Sequence, residues 1–199
     1  MGKIKESLES DVFDDDIYMY TGQNFRIRET REEDIVSWYK WFNDADITKY
    51  MMHGVFPNTI EKQREFRLRN LNGDSKVMFS IVDKNSPELI GTCSININWS
   101  WADRHAEISL VLGNKKYHNG PLYLEITAWQ LDHAFFAMNM HSVFTCAREE
   151  NKAVIGTLGL LKFNTVGVIR ECSYVDGKYY NCVMQDILKE EWSRFKEDN

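Results

Sequence analysis

Between Ala106 and Phe163 a short alternating strand, a tight loop, an amphipathic helix, a second strand and a helix led by Asn151 follow one another with little room between them. The stretch reads AEISLVLGNKKYHNGPLYLEITAWQLDHAF and then SVFTCAREENKAVIGTLGLLKF. In that order the segments can make a splayed strand with free backbone N–H groups, a loop-to-helix turn able to hold a pyrophosphate, and a second helix flanking the same cleft.

The rest of the chain supplies more strands and helices. Phe25 and Ile27 open a strand, and Glu32 to Phe42 reads as a helix carrying Ile35, Trp38 and Trp41 on one side. Thr59 is the expected cap of a further helix, with Gln63 near the capping-box position. Met78 to Val82 and Leu89 to Asn98 read as strands joined by the turn residues Asn85-Ser86-Pro87, and WSWADRH leads on to the strand Ala106 to Leu112 as a hairpin. The helix Leu122 to Met138 places Leu124, Ala128, Leu131, Phe135 and Met138 in one stripe, so it should pack on a sheet. After the strand Ser142 to Cys146 and the helix Asn151 to Leu161, strands Thr165 to Tyr174 and Lys178 to Leu188 flank Val175-Asp176-Gly177-Lys178, a strong hairpin signal. The fold class expected is α/β (α+β): a mixed, mostly antiparallel central sheet flanked by helices on both faces. Residues 1–23, rich in charge and without a sustained period, read as an extension preceding a single domain at 24–199.

Composition narrows the partners. A chain of 199 residues with 43% hydrophobic and 13% aromatic content suffices for one core. The net charge of -6 argues against a nucleic-acid partner, which would require a concentrated basic face. No apolar run reaches the roughly 18 to 20 residues that span a bilayer, so the expectation is a cytoplasmic protein without a membrane partner, monomeric or homodimeric. Cys93, Cys146, Cys172 and Cys182 are widely spaced and read as reduced core thiols, and the histidines lack metal-ligand spacing, so no metal is expected.

The segment 106–163 resembles the GCN5-related N-acetyltransferase (GNAT) family, in the branch of ribosomal-protein N-terminal and bacterial amino-sugar N-acetyltransferases. The opening FRIRETREEDIVSWYKWFNDADITKYM resembles that branch's first strand and helix, and Leu122 to Phe135 matches its helix after the phosphate loop. The resemblance implies acetyl-coenzyme A as acyl donor. It places the backbone of Val111 and Leu112 against the pantetheine and thioester, and Tyr117, His118, Asn119, Gly120, Pro121, Leu122 and Tyr123 at the pyrophosphate. Asn151 would bond the pantetheine, cap its helix, or both. The loop departs from the family pattern: Asn119 and Pro121 stand at usual glycine positions and Tyr123 where Gly or Ala is preferred, with Lys115, Lys116 and His118 available to offset the lost donor by charge. Tyr or Ser residues that serve family members as general acid are replaced by Leu158 and Val154, which turns attention to Thr157 or water.

Alternation along 106–112 puts Glu107 on a face with Ser109 and Val111. An ammonium group must lose a proton before it attacks a thioester, so Glu107 is read either as the base for that step or as a strand carboxylate facing solvent or Arg104. Tyr50, His53, Trp99, Trp101, Asp103 and His105 offer flat faces and polar groups for the acceptor; equally, the Trp-rich hairpin can pack on a helix or a dimer partner. The acceptor expected first is a small-molecule amine such as a nucleotide-linked amino sugar, then a protein amine, then a polyamine or aminoglycoside. A non-catalytic module that binds coenzyme A or regulates is the rival from another class.

Overall fold

A computed structural model of the protein describes residues 17–51, 57–97 and 102–198. The strands are β1 (Tyr20–Thr21), β2 (Phe25–Glu29), β3 (Lys76–Asp83), β4 (Leu89–Asn96), β5 (His105–Leu112), β6 (Ser142–Arg148), β7 (Asn164–Val175) and β8 (Lys178–Leu188). The helices are α1 (Asp34–Trp41), α2 (Ala45–Thr48), α3 (Ile60–Leu71), α4 (Gly120–Asp132), α5 (Lys152–Leu160) and α6 (Lys189–Glu197). The strands form one sheet in the order β1-β2-β3-β4-β5-β6-β8-β7. Every neighbour pair is antiparallel except β5 with β6. This is the mixed, mostly antiparallel sheet expected.

Its two faces are covered differently. On one, Phe79, Ile81, Ile95 and Ile108 meet Ile126 and Leu131 of α4, Leu158 of α5 and Trp192 of α6 in the main core. Burying a side chain of this size stabilises by about 1.5–3 kcal/mol, so these contacts dominate the fold. The other face carries α1, fixed by a buried network: Arg28 Nη2 lies 2.7 Å from Asp34 Oδ1, and Ser80 Oγ donates to Asp34 Oδ2 at 2.6 Å. Helix α3 follows, with Arg67 donating to the Thr30 carbonyl at 2.7 Å.

Several local expectations change in detail. Thr59 does cap α3, accepting from the Lys62 N–H at 3.2 Å, but Gln63 Nε2 donates to Asn58 Oδ1 while its Oε1 accepts nothing from the cap backbone. The long helix begins at Gly120 and ends at Asp132, followed by one π turn, His133–Ala137. Its buried positions include Leu122, Ile126 and Trp129 beside Leu131, a wider arc than the expected stripe, because the sheet below it is broad. Helix α6 was not foreseen; Trp192 drops into the core and its Nε1 donates to Asp132 at 2.8 Å. The hairpin of β7 and β8 turns at Asp176 (φ 50°) and Gly177 (φ 79°), the left-handed pair that this tight turn requires. Strand β1 lies within the stretch read as an extension: Tyr20 pairs with Ile27, and Glu125 of α4 accepts from the Gln23 N–H at 2.6 Å. Of the four cysteines, all free, only Cys93 is buried.

Candidate active site

Strands β5 and β6 run side by side only through three register pairs, the last being Glu107 with Phe144. Beyond it β5 continues to Leu112 paired with β4, and β6 continues to Arg148 paired with β8. Backbone N–H and C=O groups on the facing edges of that divergent part have no partner across the gap, so polar atoms of the main chain are presented to whatever enters. Gln130 braces the point of divergence, its Nε2 donating to the carbonyls of Ser94 (3.1 Å) and Ser109 (3.0 Å).

The gap opens into a cleft of about 380 Å³. Ser109, Leu110 and Val111 of β5 line one side, Thr145 to Arg148 the other, with Asn151 and Val154 of α5 at its edge. Tyr50, Phe42 and Phe66 form the cover, and Lys76, Met78 and Ser94 extend the floor across β3 and β4. Strand register explains the floor: Lys76 stands beside Asn96, and Asn96 beside Glu107, as one row on a single face. Asn96 Nδ2 donates to Glu107 Oε2 at 3.4 Å, and the next row holds the Ser94 and Ser109 hydroxyls 2.7 Å apart. Burial holds the Lys76 ammonium below the ordinary lysine range, opposed by the Glu107 charge.

Placement of the expected site residues is uneven. Glu107 lies one strand step closed-ward of the lining residue Ser109, on the cleft face. Val111, Tyr123, Asn151 and Tyr50 line the cleft. Asn151 also caps α5, accepting from the Val154 N–H at 3.4 Å. Burial pushes the Tyr123 phenol up to about 12. Leu112 is outside the lining; its carbonyl meets His118 Nε2 at 2.7 Å. Thr157 is outside it too, because α5 turns Asn151 and Val154 to the cleft and continues that side with buried Leu158. Asp103 is exposed, and His105 sits at the closed end, bonded to Ser142 and stacked on the Phe144 ring at 4.6 Å, so neither lines the cleft. His53, Trp99 and Trp101 fall outside the described residues.

The loop ahead of α4 is more self-contained than its sequence implied. Asn119 caps the helix, Oδ1 accepting from the Leu122 N–H at 2.9 Å, while its carbonyl takes the Tyr123 N–H. Pro121 has no N–H, and Leu122 is buried, which leaves the Gly120 N–H as the open donor of the first turn. A Cβ built at Gly120 would meet no atom within 4 Å outside its own helix and chain neighbours. The cations meant to compensate are already engaged: Lys115 pairs with Asp44 and Asp46, and Lys116 with Glu88. Tyr117 donates to Glu88 Oε2 at 2.7 Å, tying the loop to the turn between β3 and β4.

Sequence reasoning passed over Lys76, Gln130 and Arg148. A single polar residue in an otherwise apolar helix arc was the available signal for Gln130; lone cations at strand ends carry almost none.

Residues 24–164 match the family model described as the acetyltransferase (GNAT) domain. This chain belongs to the GNAT acetyltransferase family. The GNAT protein is 26% identical over 178 residues to the uncharacterized N-acetyltransferase p20 of Bacillus licheniformis, covering 88% of this chain and 98% of that one. It is 25% identical over 174 residues to the uncharacterized N-acetyltransferase YnaD of Bacillus subtilis, covering 87% and 98%. Among solved structures, the spermidine N-acetyltransferase of Vibrio cholerae in complex with CoA and spermine superposes with a TM-score of 0.79 at 16% identity, over 86% of this chain and 99% of that one. A GNAT-family acetyltransferase from Bacillus anthracis gives 0.74 at 22% identity, over 88% and 100%. The GNAT fold is thereby shown, and the enzyme is an acyltransferase of the N-acetyltransferase type.

Proposed function

We propose that this GNAT enzyme moves an acetyl group from acetyl-coenzyme A to the primary amine of a small molecule, by direct attack in a ternary complex. The observation that carries the reading is the divergence of β5 from β6 after Glu107 and Phe144, which opens the cleft and strips strand partners from its edges. A narrow acyl-pantetheine arm fits such a gap, as an extended chain that hydrogen-bonds to strand edges. Acetyl-coenzyme A bound there supplies an acetyl thioester. Val111 and its neighbours hold the arm on one side, and Asn151 meets it from α5. Gly120 and the first turn of α4 take the pyrophosphate with fewer donors than a glycine-rich loop would give.

On the acceptor face Glu107, directly or through water, takes the proton that an ammonium group must lose before attack. Asn96 orients that carboxylate. The departing thiolate is a good leaving group and needs little protonation, and water reaches the open end of the cleft. A nucleotide-linked amino sugar remains the first acceptor to try, since Tyr50 and Phe66 offer ring faces for a sugar.

Calorimetric titration with acetyl-coenzyme A tests the donor half. Saturable binding in the micromolar range is expected; heat no different from buffer at millimolar donor would overturn the assignment and favour a non-catalytic role.

A further inference from the structure

The cleft lining contains two cationic side chains, Lys76 and Arg148, and neither Asp nor Glu among the described residues. That is an odd wall for an acceptor presented as a polycation. Arg148 is the better defined of the two. Only 8% of the residue is exposed, its guanidinium lies 4.1 Å over the Tyr180 ring, and Nη1 donates to the Lys49 carbonyl at 3.2 Å. Nη2 engages Glu150, which stands outside the cleft lining with 41% of its side chain exposed. The third guanidinium nitrogen, Nε, is buried with no hydrogen-bond partner among the described residues. A buried N–H of a charged group left unpaired is costly, and such groups in native proteins are ordinarily satisfied by water or by a ligand. The Glu150 carboxylate offsets part of the guanidinium charge from outside the lining through Nη2 and leaves Nε without a bond.

Lys76 reinforces the sign of the field. It stands in the row with Asn96 and Glu107, packs its ammonium 5.3 Å from the Phe66 ring centre, and has no ion pair with a carboxylate among the described residues. Desolvation acts against its charge and the Glu107 field acts for it. A partly buried wall with two positive groups attracts anions and repels polycations, most strongly where water is scarce.

Resting on the acetyltransferase reading above, we infer that the acceptor amine also bears an anionic group, a carboxylate or a phosphate, which the Arg148 side chain binds within the positive field of the cleft. The ammonium end then meets Glu107 while the anionic end lies toward the mouth. Acceptors without the anion lose the contact with Arg148, and polyamines meet like charge.

Paired acceptors that share an amine and differ in the anion test this: 4-aminobutyrate against 4-aminobutanamide for a carboxylate, glucosamine 6-phosphate against glucosamine for a phosphate, with spermidine alongside. Release of coenzyme A is followed in each case. In at least one pair the anionic member should show kcat/KM about ten-fold or more above its neutral partner, and which pair responds names the source of the anion. That ratio should fall toward unity in Arg148→Met and in Lys76→Met and survive in Arg148→Lys, with acetyl-coenzyme A affinity retained in all three. Neutral members matching the anionic ones, or spermidine surpassing them, would overturn the inference while leaving the acetyltransferase reading intact. Weakened acetyl-coenzyme A binding in Arg148→Met with an unchanged ratio would assign the arginine to the donor and overturn it as well. Transfer to none of these amines despite donor binding would defeat the small-molecule reading and this inference with it.

Discussion

Arg28 holds Asp34 through two parallel bonds, Nη2 to Oδ1 at 2.7 Å and Nη1 to Oδ2 at 2.9 Å, beneath the first turn of α1. The Arg31 N–H and the Ser80 hydroxyl complete the coordination of the same carboxylate. Both side chains are almost wholly buried, so the pair fixes how α1 sits on β2 and β3 and thus where the cover of the cleft begins. Removing one partner strands the other charge. Asp34→Ala should therefore cost about 3–5 kcal/mol, read as a lower urea midpoint with unchanged slope.

Replacing the proposed base addresses chemistry without disturbing the frame. Glu107→Gln keeps the shape and the contact with Asn96 but cannot accept a proton. Turnover near neutral pH should fall about 10²–10⁴-fold while acetyl-coenzyme A affinity stays within error; undiminished turnover would exclude Glu107 as the base.

Gly113 follows β5 directly and lies against the indole of Trp41. A Cβ built at that position would come within 1.9 Å of Trp41 Cδ2. Gly113→Ala should destabilise by about 1–3 kcal/mol, since the half-buried ring must shift to make room for the methyl group. In a Trp41→Ala background the same change should cost much less, and a double-mutant cycle by denaturant unfolding measures the coupling.

His133 opens the π turn after α4 and lies between the Phe79 and Trp129 rings, each 5.3 Å away between centres. Burial holds its imidazole below the ordinary histidine value. With the folded value below the unfolded one, the unfolded chain binds more protons in the window between them, so stability rises with pH through it. Acidification below about 6.5 should lower the melting temperature, and His133→Phe should flatten that slope below about pH 6.5. Equal slopes in both proteins would place the acid sensitivity elsewhere.

Much of the sheet was legible because strand signals here are local. Alternation in 106–112, the Asp176-Gly177 turn and the cap at Thr59 each depend on residues a few positions apart. Helix α6 was not legible: KEEWSRFKE is mostly polar, and what holds it is Trp192 in the core, Phe195 packed against that core and the Lys196–Asp132 ion pair to α4. Cys146 and Cys172 read as core thiols from their apolar neighbours but lie exposed, Cys146 because it lines the cleft and Cys172 because it sits on the largely exposed edge strand β7.

The candidate site divides in the same way. Asn151 as a helix cap, Val111 on the Glu107 face of its strand and Pro121 in a first helical turn follow from short-range pattern, and the sequence by itself determined them. Only tertiary structure decided that Lys115 and Lys116 spend their charge on Asp44, Asp46 and Glu88, that Thr157 stays outside the cleft, and that Arg148 and Lys76 line it. Backbone propensity and hydrophobic period act over one or two turns of chain. Charge pairing and cleft lining join residues that only the closed sheet brings together, and no local pattern records which partners those will be.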